Sequence, residues 1–171
     1  VYEPIKFVST AAHSGASKGT SDWPLFRTAE VYLNYAEAKA ELGTLTQDDL
    51  TVSIDKIRER AGIPTYGSGP DQIAVDASDQ IAMRKLIRME RRVELCVEGV
   101  RYNDLRRWKE APEVMNKEPR SWNRDGKTQE DFYQVIPANQ GGRVRVFEAP
   151  KSYWLAIPMS QINKNPNLVQ N

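Results

Sequence analysis

Apolar residues recur at helical spacing through most of the first 110 residues of this 171-residue chain, and no other feature limits the fold as much. From about Arg27 to Leu42, the residues Ala29, Tyr32, Leu33, Ala36 and Ala40 fall on one helical face. Ala36 and Ala40 are small enough to let another helix approach closely, and Gly43 is a natural stop. A second helix is expected from Thr46, whose hydroxyl and Asp49 form a capping-box start, with the stripe Leu50, Ile54, Ile57 and Ala61. Gly62 and Pro64 end it. The short connection between these two helices makes them antiparallel neighbours. A third helix, about Asp79 to Val97, carries Ala82, Leu86, Met89, Val93 and Cys96 as its seam, widened by Met83, Ile87 and Val97. Gly99 stops it. A short fourth, Tyr102 to Glu110, puts Leu105 and Trp108 on one side and is closed by Pro112.

Beyond residue 110 the helical period is lost. Pro112, Pro119, Pro137 and Pro150 punctuate the stretch. Phe132–Ile136 and Arg143–Phe147 are expected to pair as a hairpin across Ala138-Asn139-Gln140-Gly141-Gly142, and Tyr153–Ile157 reads as a third strand. The fold class is therefore mainly α, a tetratricopeptide-like helical scaffold with a small β-hairpin element and long irregular loops. Residues 1–22 read as an irregular N-terminal segment, 23–171 as the body, and 111–150 as a variable insertion within it. The helix pair at 27–61 has the size of one helical repeat, and one repeat does not bury its face alone. Its partners must lie outside these residues, which makes a piece of a longer protein the expectation.

Composition removes several function classes. Lys and Arg number 24 and Asp and Glu 23, a net charge of +1, so no field steers the chain to nucleic acid. One cysteine and one histidine do not assemble a Cys/His zinc site. No apolar run is long enough to cross a membrane. No leader with its charged start and cleavage site is visible, which leaves a cytoplasmic protein or a piece of a longer one. Phosphate-cradling, dinucleotide and calcium-loop patterns are missing, so no cofactor and no metal are expected.

Few residues stand out chemically. Glu90 and Glu94 lie four apart on a helix, about 6 Å between Cβ atoms, a spacing that a retaining glycosidase could use. Arg88, Arg91, Arg92, Arg101, Arg106 and Arg107 surround them, and ion-paired structural carboxylates are the stronger reading. Cys96 reads as a small buried hydrophobe and His13 as a solvated surface residue. Trp23, Trp108 and Trp154 read as core aromatics. Trp122 differs, because it sits in a polar run inside the insertion. An apolar ring can stack on the C–H face of a sugar while Arg120, Asn123 and Arg124 hydrogen-bond hydroxyls, with Tyr133 and Phe132 as further candidates.

Four runs, in order, carry a family resemblance: Phe26–Ala38 (FRTAEVYLNYAEA), Ile57–Pro64 (IRERAGIP), Glu90–Trp108 (ERRVELCVEGVRYNDLRRW) and Ala156–Asn171 (AIPMSQINKNPNLVQN). Together they resemble the C-terminal signature of the SusD/RagB family, over about residues 22–110 and 151–171. The resemblance implies a non-enzymatic protein that captures oligosaccharide or another nutrient and passes it to a SusC-like TonB-dependent transporter. It also implies placement on the extracellular face of the outer membrane through a lipid anchor outside this chain. The family's sugar contacts come largely from segments absent here, so the ligand-binding set Trp122, Arg120, Asn123, Arg124 and Tyr133 rests on residue chemistry alone. Two alternatives stand beside capture: a scaffold that docks on the transporter with little sugar contact, and a glycosidase built on Glu90 and Glu94.

Overall fold

A computed structural model of the chain describes residues 6, 24–123, 125–138, 145–165 and 167–170. The described residues fall into two compact units, one ending at Arg101 and the other beginning at Tyr102. The irregular segment expected over 1–22 lies outside the described residues apart from Lys6, as do His13 and Trp23.

The first unit is helical. α1 spans Thr28–Glu41 and buries Ala29, Leu33, Ala36 and Ala40. Its end is a tight left-handed turn. Gly43, at φ 69°, donates to Ala40, and Thr44 donates to Lys39, which satisfies carbonyls the helix leaves open. α2 spans Gln47–Thr51 and begins with the expected box, in which the Thr46 hydroxyl accepts from the Asp49 N–H and Asp49 accepts from the Thr46 N–H. The helix expected to run unbroken from Thr46 to Ala61 is two helices. Ser53 is fully buried, turns its hydroxyl back to the Asp49 carbonyl and leaves the helical region (φ −125°, ψ −90°) before α3 spans Ile54–Ala61. Leu50, Ile54 and Ile57 are buried as expected, while Ala61 is exposed.

α4 spans Gln80–Glu94, capped by the Asp79 carboxylate on the N–H groups of Ile81 and Ala82. The face it buries differs from the expected seam. Met83, Ile87 and Arg91 point inward, whereas Ala82, Met89, Val93 and Cys96 are exposed. The reason is charge. Arg91 donates to Asn34 at 2.6 Å and lies 3.7 Å from Glu30, so a polar side chain with partners on α1 takes an inward position that apolar counting leaves out. Cys96 is thus a surface thiol, not a buried hydrophobe. α1 packs against α2, α3 and α4, and with Leu45, Leu50, Ile54, Ile57, Tyr66, Met83, Ile87 and Leu95 it closes the core. Each fully buried Leu or Ile there contributes about 1.5–3 kcal/mol.

The second unit is built from short pieces. α5 spans Arg101–Arg107 and α6 spans Ala111–Met115. Pro112 was expected to close a helix. Instead it sits in the first turn of α6, where its missing N–H costs nothing. Leu105, Ala111 and Phe147 form a small core with Val114, Met115 and Tyr153 around it. β1 (Arg120–Trp122) and β2 (Val135–Pro137) make a two-stranded antiparallel sheet, with Trp122 opposite Val135, and α7 (Gln129–Tyr133) lies between them in sequence. The expected hairpin partner of this second strand was Arg143–Phe147. Arg143 and the turn 139–142 lie outside the described residues, and Arg145–Phe147 is not a strand. Tyr153–Ile157 is also not a strand: a 3-10 turn covers Lys151–Tyr153, and the chain then runs irregularly to α8, Met159–Ile162. Trp154, expected in a core, is exposed. The architecture is the expected one nonetheless: mainly α, with a tetratricopeptide-like helix pair, one small β element and long irregular connections. Among the described residues no helix is long and apolar enough to cross a membrane.

Candidate functional site

The insertion residues picked for ligand contact come together on the β1–α7–β2 excursion. Thr128 caps α7, its hydroxyl accepting from the Asp131 N–H at 3.0 Å, and the helix delivers Phe132 and Tyr133 next to each other. Strand pairing then brings Trp122 alongside. The Trp122 and Phe132 rings are near-parallel, 10° between planes with centroids 6.5 Å apart. Tyr133 stands edge-on to both, 5.3 Å from Trp122 and 5.5 Å from Phe132. These are favoured aromatic geometries.

The backbone under the rings is tied. Asn123 donates its N–H to Gln134 at 3.0 Å, and Gly126 donates to Asn123 at 3.1 Å. Gly126 passes so close to α7 that an added Cβ would lie 2.6 Å from the Phe132 nitrogen and 2.7 Å from the Asp131 carbonyl carbon. Sequence reading missed this glycine. Its signal was the Asn-x-x-Gly turn followed by the Thr-x-x-Asp cap. Arg120 is exposed and donates to the Val135 carbonyl at 3.2 Å. So Arg120, Trp122, Asn123 and Tyr133 share one excursion, with Phe132 completing it, and Arg124 lies outside the described residues. The ring most open to solvent is Tyr133, 52% exposed, while Trp122 and Phe132 are half-buried behind it.

The carboxylates present a different picture. Glu90 is held by the Arg58 guanidinium and accepts from the Tyr66 hydroxyl at 2.6 Å. Burial, and then that bond to Glu90, pushes the Tyr66 hydroxyl well above its ordinary range. Glu94 is paired with Arg27 and takes both of its 2.8 Å bonds from Arg60. Their side chains are only 13% and 12% exposed. Glu98 joins the same cluster. Burial acts to raise its carboxyl, and the bonds from Arg27 and Lys6 overcome that and hold it below its usual range. Glu90 is thus held by the guanidinium of Arg58 and Glu94 by those of Arg27 and Arg60, an ion-paired arrangement in place of an open carboxylate pair. Among the described residues no group of three or more His, Cys, Asp or Glu side chains is placed to hold a metal.

Comparison with known proteins adds a second line of observation. A sequence model of the SusD family matches residues 1–171. The SusD-like protein P38 of Formosa agariphila is 38% identical over 91 residues, which is 53% of this chain and 18% of that protein. The SusD-like protein P2 of the same organism is 26% identical over 166 residues, 97% of this chain and 28% of that protein. The solved structure of BT4246 superimposes with a TM-score of 0.70 and 31% identity over 91% of this chain and 24% of its own. The matched stretches therefore cover between 18% and 28% of the lengths of these relatives.

Proposed function

This chain belongs to the SusD family, and on that premise we propose that it is part of a nutrient-binding protein that captures oligosaccharide without turning it over. The observation that carries the reading is the three-ring cluster of Trp122, Phe132 and Tyr133, set among exposed polar side chains such as Arg120, Asp125 and Lys127. An aromatic face takes up the C–H face of a pyranose, and the polar rim exchanges water for sugar hydroxyls. Tyr133 supplies the accessible ring, and Trp122 and Phe132 back it edge-on and fix its direction. Capture in place of hydrolysis agrees with Glu90 and Glu94 being bound up by arginines. The captured sugar would pass to a SusC-like TonB-dependent transporter at the outer membrane.

Calorimetric titration of the full-length protein with a panel of polysaccharide-derived oligosaccharides tests this. Tyr133→Ala should weaken binding by about 1–1.5 kcal/mol, roughly tenfold, with the sugar recovered intact. Lys117→Ala, outside the cluster, should leave the affinity unchanged. Shortened products would overturn capture, and unaltered affinity in Tyr133→Ala would remove the cluster from the site. A second reading, a docking scaffold with little sugar contact, is favoured by one observation: exposed apolar side chains on the outer side of α1, Val31 and Leu42 among them.

A further inference from the structure

The first turns of α1 and one side of α3 form a surface hollow of about 310 Å³. That is the small end of the range for ligand clefts, about 300–1,000 Å³. Ala29 and Ile57 are buried and Tyr32 is half-buried, and these three supply its apolar wall. Every charged side chain that lines it is a cation: Arg27, Lys56 and Arg60. Lys56 and Arg60 lie four apart on α3, hence on one face of that helix, where like charges repel.

The neighbouring carboxylates do not use up this charge. Glu94 and Glu98 are divided among Arg27, Arg60 and Lys6, and neither lines the hollow. Arg60 is 59% exposed and spends only its Nη2 group on Glu94. Its Nε and Nη1 donors make no hydrogen bond to a described residue. Lys56 pairs with Glu59 at 3.0 Å, but both side chains are about half exposed, which makes the pair weak. A neutral occupant would leave these donors without a charge to answer them, and a cation would be repelled. An anionic group accepts from them in charge-assisted bonds. The hollow is too small for a polyanion such as nucleic acid, which the net charge of +1 does not attract either. An acidic group carried on a ring fits both the cations and the apolar wall.

We propose that this hollow is a second carbohydrate subsite, selective for an acidic sugar residue, whose carboxylate or sulfate is held by Lys56 and Arg60 while its ring lies against Tyr32 and Ile57. The proposal rests on the reading of the protein as one that captures oligosaccharide, but not on the ring cluster at Tyr133. The test is calorimetric titration of the full-length protein with three oligosaccharides of equal length: a neutral one, a uronic-acid one and a sulfated one. At low salt at least one acidic sugar should bind about tenfold or more tightly than the neutral one. Which of the two is preferred assigns the anion. Salt at about 0.5 M should cut that preference severalfold. Lys56→Gln with Arg60→Gln should abolish the preference and leave the neutral sugar's affinity within about twofold. Lys56→Gln alone, which touches no buried pair, should reduce it in part. Lys85→Gln with Lys117→Gln, the same loss of charge elsewhere, should keep it in full. Far-UV circular dichroism confirms that each variant is folded. No preference in the wild type, or a preference that survives Lys56→Gln with Arg60→Gln, overturns the subsite and leaves capture at Tyr133 standing. An equal loss in the Lys85 and Lys117 variant overturns it too, since that marks diffuse attraction. A Tyr133→Ala variant that loses the neutral sugar but keeps the acidic one supports two separate subsites. No binding of any of the three sugars overturns capture and subsite together.

Discussion

Arg58 shows at the scale of one residue why the carboxylates of α4 are structural. Its guanidinium pairs with Glu90, donates to the Pro64 carbonyl and the Tyr66 hydroxyl, and lies 4.3 Å from the centre of the Tyr66 ring. Arg58→Ala would leave Glu90 charged, mostly buried and without its cation, and should cost about 3–5 kcal/mol in urea unfolding. Glu90→Gln keeps an acceptor for Tyr66 and should cost clearly less. Equal, small losses in both would refute the buried pair. Asp49 gives a pH signature. The Tyr35 hydroxyl holds its carboxyl down to about 2 from an ordinary 3.8, against burial and with help from Thr46. A depressed carboxyl stabilises the fold above its ordinary value and loses that contribution as pH falls through the folded one. Wild-type unfolding midpoints should therefore drop between about pH 4 and 2, and Asp49→Asn should lack that part of the drop. The Thr46 and Asp49 box was legible because capping is local in sequence. The inward turn of Arg91 was not, since its partners Glu30 and Asn34 sit on another helix, a long way off along the chain.

At the scale of elements, Gly126 sets the distance between its turn and α7. Gly126→Ala puts a methyl against backbone atoms that have no side-chain freedom to yield, so the turn or the helix must shift. The rings of Trp122, Phe132 and Tyr133 would then lose their mutual angles. The expected result is a weakened near-UV circular dichroism signal and a fall in sugar affinity like that of Tyr133→Ala, with the far-UV spectrum kept. An unchanged near-UV signal would mean that the turn has room. Long helices with repeated apolar spacing, α1 and α4, were legible with ends accurate to a few residues. The division of α2 from α3 was not, because a buried serine bonding back to Asp49 leaves no mark on apolar period. α6, α7 and α8 have four or five residues each, too few for a period to show. The strand expected over Phe132–Ile136 is a strand only at Val135 and Ile136, since Phe132 and Tyr133 close α7, and the partner of β2 is β1, a run of three residues with no alternation long enough to count.

At the scale of the molecule, apolar spacing with its caps and stops carried the helical plan, and residue chemistry pointed to the insertion where the ring cluster lies. What apolar counting left out was the wet side of the helix packing: Arg27, Arg58, Arg60 and Arg91 meeting Glu90, Glu94 and Glu30 between α1, α3 and α4. That feature bears on how such a chain finds its shape. Apolar seams are interchangeable, and in a scaffold of similar helices many pairings would bury equal amounts of leucine and alanine. A slide of one turn, about 5.4 Å, costs an apolar seam little but would strand every one of these guanidinium groups from its carboxylate. The charges therefore act as an address, telling α4 which neighbour to take and at what height to stop.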